Sequence, residues 1–493
     1  MRSAATRTPG AADQPDPGGI PVRTILLGVA GVMLIALGGT GAGAILKRDP
    51  LLADTSLSWI RYGHGHDLAT AVLYLGLGLV IWAWTRLGRM VRDRHVGSTA
   101  VLTAVVVWTL PLLFAPPLFS KDIYSYLAQG QLALNGLDPY TVGPAVLQSP
   151  LSDNVSWVWQ NTPAPYGPLF MVLAEGVVWA TGGGVIGGVV LMRLVLAVGL
   201  ALVCWSLPGL ARHLGGRPAV ALWLAAANPL VLVHLIGGAH NDLLMVGLMA
   251  VGVLFVLDGK HVLGVAVVTL AFAVKATAAV ALPFLVLVWA ARLPGPRRAA
   301  LGKAMGASVA VFLAVFTATT LLAGRDLGWI PALRTSSMIV NWLSLPSAVG
   351  DFAHTAVNLF VRVEPGVFMT VARGLGSVLL VYIAWRQWRV AEDGGPEAVR
   401  RAAITMLAVA LLSPATLPWY FSWPLLLGAG LAWTATGLRA MAFFSVWLLL
   451  VTFPNGDTAL YSWGYLALTV LVSALASVSL VKPDPLKLSG RYS

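Results

Sequence analysis

The sequence predicts an all-α membrane protein, a polytopic bundle of transmembrane helices. Of its 493 residues, 58% are hydrophobic and only 11% are charged. Apolar runs of about 20 residues, the length that crosses a bilayer as a helix, recur along the chain. The single cysteine, Cys204, lies inside an apolar run, which excludes a disulfide framework and a cysteine-based metal site. Helix packing must therefore supply the stability of the fold.

The apolar runs define about fourteen candidate spans, with an uncertainty of about two. In chain order they cover residues 22–45, 67–85, 98–115, 187–207, 218–236, 241–257, 262–275, 277–291, 304–323, 367–386, 400–414, 419–435, 440–453 and 464–481. Together they form one predicted transmembrane domain, residues 22–481. Residues 1–21, which are rich in Pro and Gly, are predicted to be a disordered cytosolic tail, and residues 482–493 a second cytosolic tail.

Arginines and lysines in short connections mark the predicted cytosolic face, since positive residues near span ends remain mostly inside. The clearest group, between the second and third spans, comprises Arg86, Arg89, Arg92 and Arg94. The pattern is consistent only if the apolar segments 166–182 and 344–362 lie along the outer surface without crossing. Three cations then lie outside, against the rule: Lys47, Arg48 and Arg61.

With this orientation, every long polar connection falls on the outer side of the membrane: 116–186, 237–241, 324–366 and 454–463. The chemistry is therefore expected to face outward. ATP and nucleotide sugars are cytosolic, so an outward-facing site needs a donor already carried across the membrane, such as a lipid-linked one. The chain contains no GxxxxGKS phosphate loop and no HExxH metal motif. The net charge of +12 fits a cytosolic membrane face, and we expect no nucleic-acid partner.

Five segments carry a family resemblance: "DIYSYLAQGQLALNGLDPYTVGP" from Asp122, "TPAPYGPLF", "AHNDLLMVGLM", "NWLSLPSAVG" and "PATLPWYFSWPL". Together they resemble the actinobacterial polyprenyl-phosphomannose-dependent alpha-1,6-mannosyltransferases of lipomannan and lipoarabinomannan assembly. These enzymes are GT-C glycosyltransferases, and the resemblance spans about residues 100–430. The chain departs from the simplest GT-C plan in having two spans ahead of the one that precedes the first outer loop.

The resemblance implies a GT-C-like bundle, with amphipathic helices expected in the outer loop 116–186. It also implies an inverting transfer of mannose to a lipid-linked mannan acceptor, outside the plasma membrane. The donor would be polyprenyl-phosphate mannose, whose prenyl chain lies among the membrane lipids, and we predict no further cofactor. No tight His/Asp cluster has metal-ligand spacing, so we predict no metal site.

Asp122 is the predicted general base, because it stands directly outside the third span, at the depth where a lipid-linked phosphosugar reacts. In the inverting reaction that the resemblance implies, one carboxylate suffices to remove the acceptor's hydroxyl proton. Such a base typically contributes about 10²- to 10⁴-fold to the rate. The alternative is that Asp122 caps the helix that follows, since Asp is a favoured N-cap residue.

Other residues of the outer connections are predicted to bind substrate. In the first loop they are Tyr124, Asp138, Tyr140 and Tyr166. Asp138 also fits a turn, because a DP step after "NG" is a loop signal. His240 and Asp242 are predicted to position acceptor hydroxyls, with helix capping as the alternative for Asp242 or its neighbour Asn241. At outer span ends the candidates are Asn341, Trp419 and Tyr420, although aromatic residues there also serve as membrane-belt anchors.

Cations in or beside apolar segments need a partner, because a charge at the bilayer centre costs about 2.5 to 3.5 kcal/mol even on lenient scales. Lys275 is the predicted ligand of the departing polyprenyl phosphate, and Arg334 in an outer loop is a second candidate. For Arg193 and Arg373 the alternatives are an internal ion pair, with Glu175 as one possible partner, or snorkelling to the interface.

A transporter or flippase of lipid-linked sugars is the main alternative function, since it would share the many helices and the intramembrane charges. Such proteins are commonly built from two related halves with broken helices, and the sequence shows no such halves. A non-catalytic scaffold would not require an Asp-Tyr loop and cations that face one side. Transfer of mannose without nucleotide would distinguish the enzyme from both.

Overall fold

The computed structural model describes residues 19–391 and 394–483, and its regular elements there are helices. Two isolated β-bridges also occur there, Gly215 with Leu431 and Thr452 with Thr458. The predicted all-α class is confirmed. The predicted tails fall almost wholly outside the described residues, which exclude 1–18 and 484–493.

The α-helices follow one another along the chain, with longer connections at residues 43–62 and at the predicted outer loops. They are Val22–Ala42 (α1), Gly63–Arg92 (α2), Ser98–Phe114 (α3), Asp122–Leu134 (α4), Pro150–Asp153 (α5), Pro168–Ala180 (α6), Val185–Leu214 (α7), Pro218–Leu224 (α8), Asp242–Leu257 (α9), His261–Val274 (α10), Leu282–Ala290 (α11), Arg297–Leu322 (α12), Trp329–Ala332 (α13), Leu345–Asn358 (α14), Pro365–Val390 (α15), Gly395–Leu412 (α16), Ser422–Gly428 (α17), Ala435–Leu450 (α18) and Trp463–Ser479 (α19).

Five of these helices are long and apolar enough to span a membrane: α1, α2, α7, α12 and α15. A π-helical segment, Val231–Gly237, precedes α9 at an angle of 116°, and this bent pair would make a sixth span. Further apolar helices, among them α3, α10, α18 and α19, have 10–17 residues. The protein is thus a multi-pass helical membrane protein, whereas the count of about fourteen spans and the GT-C arrangement stay predictions.

Three predicted spans are not continuous α-helices, and one of them, 277–291, begins in a 3-10 helix, Ala276–Ala281, before α11. The span 218–236 is interrupted after α8, because Pro229 lacks an N–H and restricts the residue before it. Asn228 replaces part of the missing backbone bonding: its amide donates to the Leu224 carbonyl at 2.8 Å and accepts from the Leu230 N–H at 3.0 Å. The span 419–435 leaves the helical conformation after Gly428.

The predicted outer connections meet at one end of the bundle. The Phe119 N–H donates to the Pro454 carbonyl at 2.7 Å, and the Leu118 N–H donates to the Gly237 carbonyl at 3.2 Å. At the far end of α2, predicted cytosolic arginines bind carbonyls of neighbouring segments: Arg92 donates to Leu480 at 2.6 Å and Arg217 to Val91 at 2.8 Å. The two groups are separated by the 30 residues of α2, about 45 Å at 1.5 Å per residue.

The two apolar segments predicted to lie on the surface form short helices, α6 with 13 residues and α14 with 14. At 1.5 Å per residue each is about 20 Å long, less than the roughly 30 Å of a bilayer core. Close packing holds α6 against α4, because a Cβ on Gly130 would lie 2.5 Å from the Ala174 carbonyl carbon. The predicted span 262–275 forms a helix of similar length, α10 with 14 residues, so length does not separate surface helices from spanning ones, and the placement outside the bilayer stays a prediction.

Two arginines bind backbone carbonyls, so the ion pair with Glu175 that was one alternative for them is not formed. Arg193 is wholly buried and donates to the carbonyls of Ala115 and Gly237, the latter at 2.7 Å. Arg373 donates to the carbonyls of Ser337, Ile339 and Pro414 at 2.9 to 3.1 Å. Glu175 pairs with Arg325 at 2.9 Å.

The predicted orientation can be tested by single-cysteine labelling in a Cys204→Ser background. Thr141 and His95 are both exposed and lie on the two connections that the orientation places on opposite sides. A membrane-impermeant maleimide should label Thr141→Cys in intact cells, and His95→Cys only after permeabilisation. The reverse pattern would invert the orientation and remove the outward-facing chemistry with it.

Candidate active site

Asp122 is the first residue of α4 and faces a cavity of about 330 Å³ at the end where the outer connections meet. Its own N–H donates to Ser120 Oγ at 3.0 Å, and the N-cap residue Lys121 makes no side-chain cap bond. The carboxylate is 19% exposed. Helix capping by the Asp122 carboxylate is therefore not seen, and its oxygens are left for other contacts.

His240 lies against this carboxylate: Nδ1 is 3.4 Å from Asp122 Oδ2. The imidazole is wholly buried and stacks on Trp419, with 3.8 Å between ring centroids and 19° between planes. Neither ring nitrogen has a hydrogen bond of regular geometry within the described chain. Ala239, the preceding residue, has a φ of 57°, a strained conformation of the kind that clusters at functional sites.

Asp242, two residues after His240, forms a second charged group together with Lys275. Lys275 Nζ donates to both carboxylate oxygens of Asp242 at 2.8 Å, and the Trp423 indole donates to the same carboxylate at 2.5 Å. The ammonium also faces the rings of Tyr420, at 4.9 Å, and Trp423, at 5.5 Å. Asp242 is wholly buried, whereas the Lys275 side chain is 15% exposed.

The capping alternative for Asn241 and Asp242 is wrong in the structure. Asn241 occupies the N-cap position of α9 without a side-chain cap bond. Its amide is wholly buried, and neither the nitrogen nor the oxygen has a hydrogen-bond partner in the described residues. Buried amides normally have such partners, so Asn241 is a candidate to contact a substrate hydroxyl that the sequence did not single out.

Tyr126 and Tyr166 pack edge to face at 5.1 Å and connect the two acidic groups. Burial raises the pKa of both phenols well above the usual value, and the negative charges of Asp122 and Asp242 act in the same direction. Both hydroxyls therefore stay protonated at physiological pH and remain able to donate hydrogen bonds. Tyr166 was predicted from the sequence, whereas Tyr126 was not.

Three of the four predicted outer connections line the cavity, and the fourth supplies His240 behind it. The polar and aromatic lining includes Lys121, Trp157, Trp159, Trp419 and Asp457. Trp157 is 82% exposed, as expected for a ring that can stack on a ligand. The sequence analysis missed the segment 154–160, although its "SWVWQ" places two aromatic residues in an otherwise polar connection.

Several predicted substrate-binding side chains have structural partners. The Tyr124 hydroxyl donates to the Ala44 carbonyl at 2.8 Å, and the Tyr140 hydroxyl donates to the Tyr166 carbonyl at 3.0 Å. Asp138 accepts the Tyr140 N–H at 3.0 Å, which is the turn expected as its alternative role. These side chains thus stabilise the outer loop itself, and their contact with substrate stays a prediction.

Asn341 and Arg334 differ in their surroundings. Asn341 is buried, donating to the Thr416 carbonyl at 2.9 Å and accepting the Leu343 N–H at 3.1 Å. It therefore joins the third outer connection to the segment that leads to Trp419. Arg334 is exposed on the short 3-10 helix at residues 333–338, and it does not line the Asp122 cavity.

Comparison with known proteins gives two family matches. The family described as "Alpha-(1->6)-mannopyranosyltransferase, N-terminal domain" matches residues 25–291, and "MptB C-terminal domain" matches residues 346–482. Over 452 residues the chain is 42% identical to alpha-(1->6)-mannopyranosyltransferase A of Mycobacterium tuberculosis, covering 91% of this chain and 87% of the relative. The protein of that name from Corynebacterium glutamicum is 33% identical over 468 residues, covering 90% and 96%.

Proposed function

Because this chain belongs to the alpha-(1->6)-mannopyranosyltransferase family, we propose that it transfers mannose from polyprenyl-phosphate mannose to a lipid-linked mannan. The product would be an alpha-1,6-linked chain of the lipomannan and lipoarabinomannan type, made on the outer face of the plasma membrane. The names of the relatives support mannosyl transfer. The observation that carries the proposal is the carboxylate of Asp122, which faces the cavity among the gathered polar connections, with His240 3.4 Å behind it.

In the proposed reaction, Asp122 takes the proton of the acceptor's C6 hydroxyl while that oxygen attacks C1 of the donor mannose. The bond between C1 and the phosphate oxygen breaks, and polyprenyl phosphate leaves with the electron pair. Attack from the side opposite the phosphate inverts C1, so a beta-linked donor gives an alpha product. An inverting transfer needs only one carboxylate as general base, and Asp122 can supply it.

Lys275 remains the candidate for the departing phosphate, although the structure gives it a prior partner. Two of its three N–H donors can bind the Asp242 oxygens, and the third has no hydrogen-bond partner among the described residues and could donate to an anion. The aromatic rings around it limit competing water and strengthen the electrostatic attraction. We propose that the ion pair with Asp242 holds the Lys275 ammonium in place. When the sugar departs, the phosphate would bind the same ammonium, which then interacts with both anions.

The function can be tested with purified protein, synthetic polyprenyl-phosphate mannose and a short alpha-1,6-mannoside, without nucleotide. The expected product is the acceptor extended by one mannose, with an alpha-1,6 linkage assigned by NMR. A different linkage would overturn the substrate assignment. Movement of the intact lipid-linked sugar across a vesicle membrane, without transfer, would favour the flippase alternative.

His240 was predicted from the sequence to position acceptor hydroxyls; because its buried ring lies 3.4 Å from the Asp122 carboxylate, we propose instead that it positions Asp122. We expect His240→Ala to lower kcat roughly tenfold, about 1.4 kcal/mol of lost transition-state stabilisation, while the donor KM stays close to wild type. His240→Gln retains a side-chain polar group near Oδ2 and should recover part of the rate. If His240→Ala instead raised a substrate KM roughly tenfold and left kcat unchanged, His240 would bind substrate.

A further inference from the structure

We propose that a polar groove beside the Asp122 cavity holds the preceding sugars of the mannan acceptor. The groove lies between residues 45–62 and 148–154 and has a volume of about 940 Å³. The inference rests on the proposed function, because it assigns the acceptor of the same site. It also gives a role to the first two helices, which the simplest GT-C plan lacks.

The groove adjoins the Asp122 cavity. Ile45, Lys47 and Asn154 line both spaces. A smaller space of about 520 Å³ shares Lys121 with the Asp122 cavity and Tyr62 with the groove. Ligand sites usually have about 300–1,000 Å³, so the Asp122 cavity is near the lower limit and the groove near the upper. An acceptor of several sugars would exceed the cavity and needs a place next to it.

The charges that line the groove favour an uncharged ligand. Equal numbers of cations and anions occur there: Lys47, Arg48 and Arg61 against Asp49, Asp54 and Asp153. A site for a phosphate or an anionic lipid headgroup would instead carry an excess of positive charge. Sugar hydroxyls both donate and accept hydrogen bonds, so a lining with donors and acceptors in balance matches a neutral glycan.

The walls of the groove are fixed to each other and to the helix that carries Asp122. The Lys47 N–H donates to Asn154 Oδ1 at 2.8 Å, which joins the two walls directly. Ala44 bonds to the Pro117 carbonyl through its N–H and to the Tyr124 hydroxyl through its carbonyl, both at 2.8 Å. The acceptor would therefore meet a preorganised surface, which reduces the entropy lost on binding.

Arg61 and Asp49 belong to the wall of the groove that residues 45–62 form. They are ion-paired, with side-chain exposures of 9% and 7%, and Asp49 also accepts the Leu51 N–H at 2.6 Å. Because Asp49 neutralises Arg61, this cation can lie mostly buried at the end of the bundle that is predicted to face outward. The residues left to contact a ligand are exposed ones, in particular Tyr62, which is 71% exposed, and Gln148.

The test compares an alpha-1,6-mannose disaccharide with a hexasaccharide as acceptors for the full-length enzyme. In wild type the hexasaccharide should have the lower KM. Tyr62→Ala and Gln148→Ala should each raise the hexasaccharide KM roughly three- to tenfold, the effect of losing one or two ordinary contacts. Tyr461→Ala, which removes an exposed tyrosine that lines neither space, is the matched control and should keep the wild-type preference.

Binding without turnover separates this inference from the proposed function. Saturation-transfer NMR with the hexasaccharide and no donor should show contact that is reduced in the Tyr62→Ala, Gln148→Ala double variant. If wild type transfers no mannose but this reduction is seen, the groove inference stands and the function fails. Undiminished binding in the double variant would overturn the inference, as would displacement of the hexasaccharide by glycerophosphoinositol with preference for the anion.

Discussion

Asp122→Asn is expected to lower kcat by about 10²- to 10⁴-fold, the contribution of a positioned general base. The substitution keeps the shape of the side chain but removes its capacity to accept the hydroxyl proton. Donor affinity should change little, because no donor contact is assigned to this carboxylate. Initial-rate kinetics with donor and acceptor varied separately would measure kcat and both KM values.

Asp138→Asn is the matched control for this experiment, since both aspartates lie in the first outer connection. The Asp138 carboxylate accepts the Tyr140 N–H in a turn, and an asparagine oxygen can make the same bond. We therefore expect a much smaller change in kcat. If Asp122→Asn kept near-normal turnover while Asp242→Asn abolished it, the base would be misassigned, although the transferase proposal would survive.

Lys275→Met is expected to destabilise the folded protein as well as to weaken the reaction. Removing the ammonium leaves the wholly buried Asp242 carboxylate without its ion-pair partner. Breaking one half of a buried pair typically costs about 3–5 kcal/mol. Thermal unfolding in detergent should therefore occur at a lower temperature than in wild type, and transfer from polyprenyl-phosphate mannose should fall strongly.

The double variant Asp242→Asn, Lys275→Met separates the two effects. It removes both charges, so the thermal stability should return toward that of wild type, because no unpaired carboxylate remains. Transfer should stay low if the ammonium stabilises the departing phosphate. Recovery of stability and turnover together would show that Lys275 serves only the fold.

Much of the helical order was predictable, because the length of an apolar run can be read directly from the sequence. The prediction of regular helix failed where a polar side chain replaces backbone bonding. Asn228 supplies hydrogen bonds next to Pro229, which has no N–H to donate, and a hydrophobic run can therefore continue there without being a regular helix. Hydropathy alone cannot detect such a replacement, since the run stays apolar on either side of it.

The candidate site was also predictable in part, because the positions of arginine and lysine can be read directly from the sequence. Asp122 and His240 lie in connections, and Trp419 at a span end, that the charge pattern had placed on one side, and the structure brings them together. The sequence could not show that Lys275 would be paired with Asp242, since 33 positions separate them. Nor could it show that the Tyr124 hydroxyl turns inward to Ala44, because residue type does not fix the direction of a side chain.

Arg193 has a consequence for the way the site opens. Its guanidinium joins the carbonyl of Ala115, at the end of α3, to that of Gly237, at the end of the π-helical segment. Asp122 follows the first of these segments and His240 the second. Local unfolding proceeds in cooperative units, and this buried crosslink couples the segment that leads to the Asp122 carboxylate with the one that leads to His240. A fluctuation that breaks the arginine's bonds would therefore loosen both segments together.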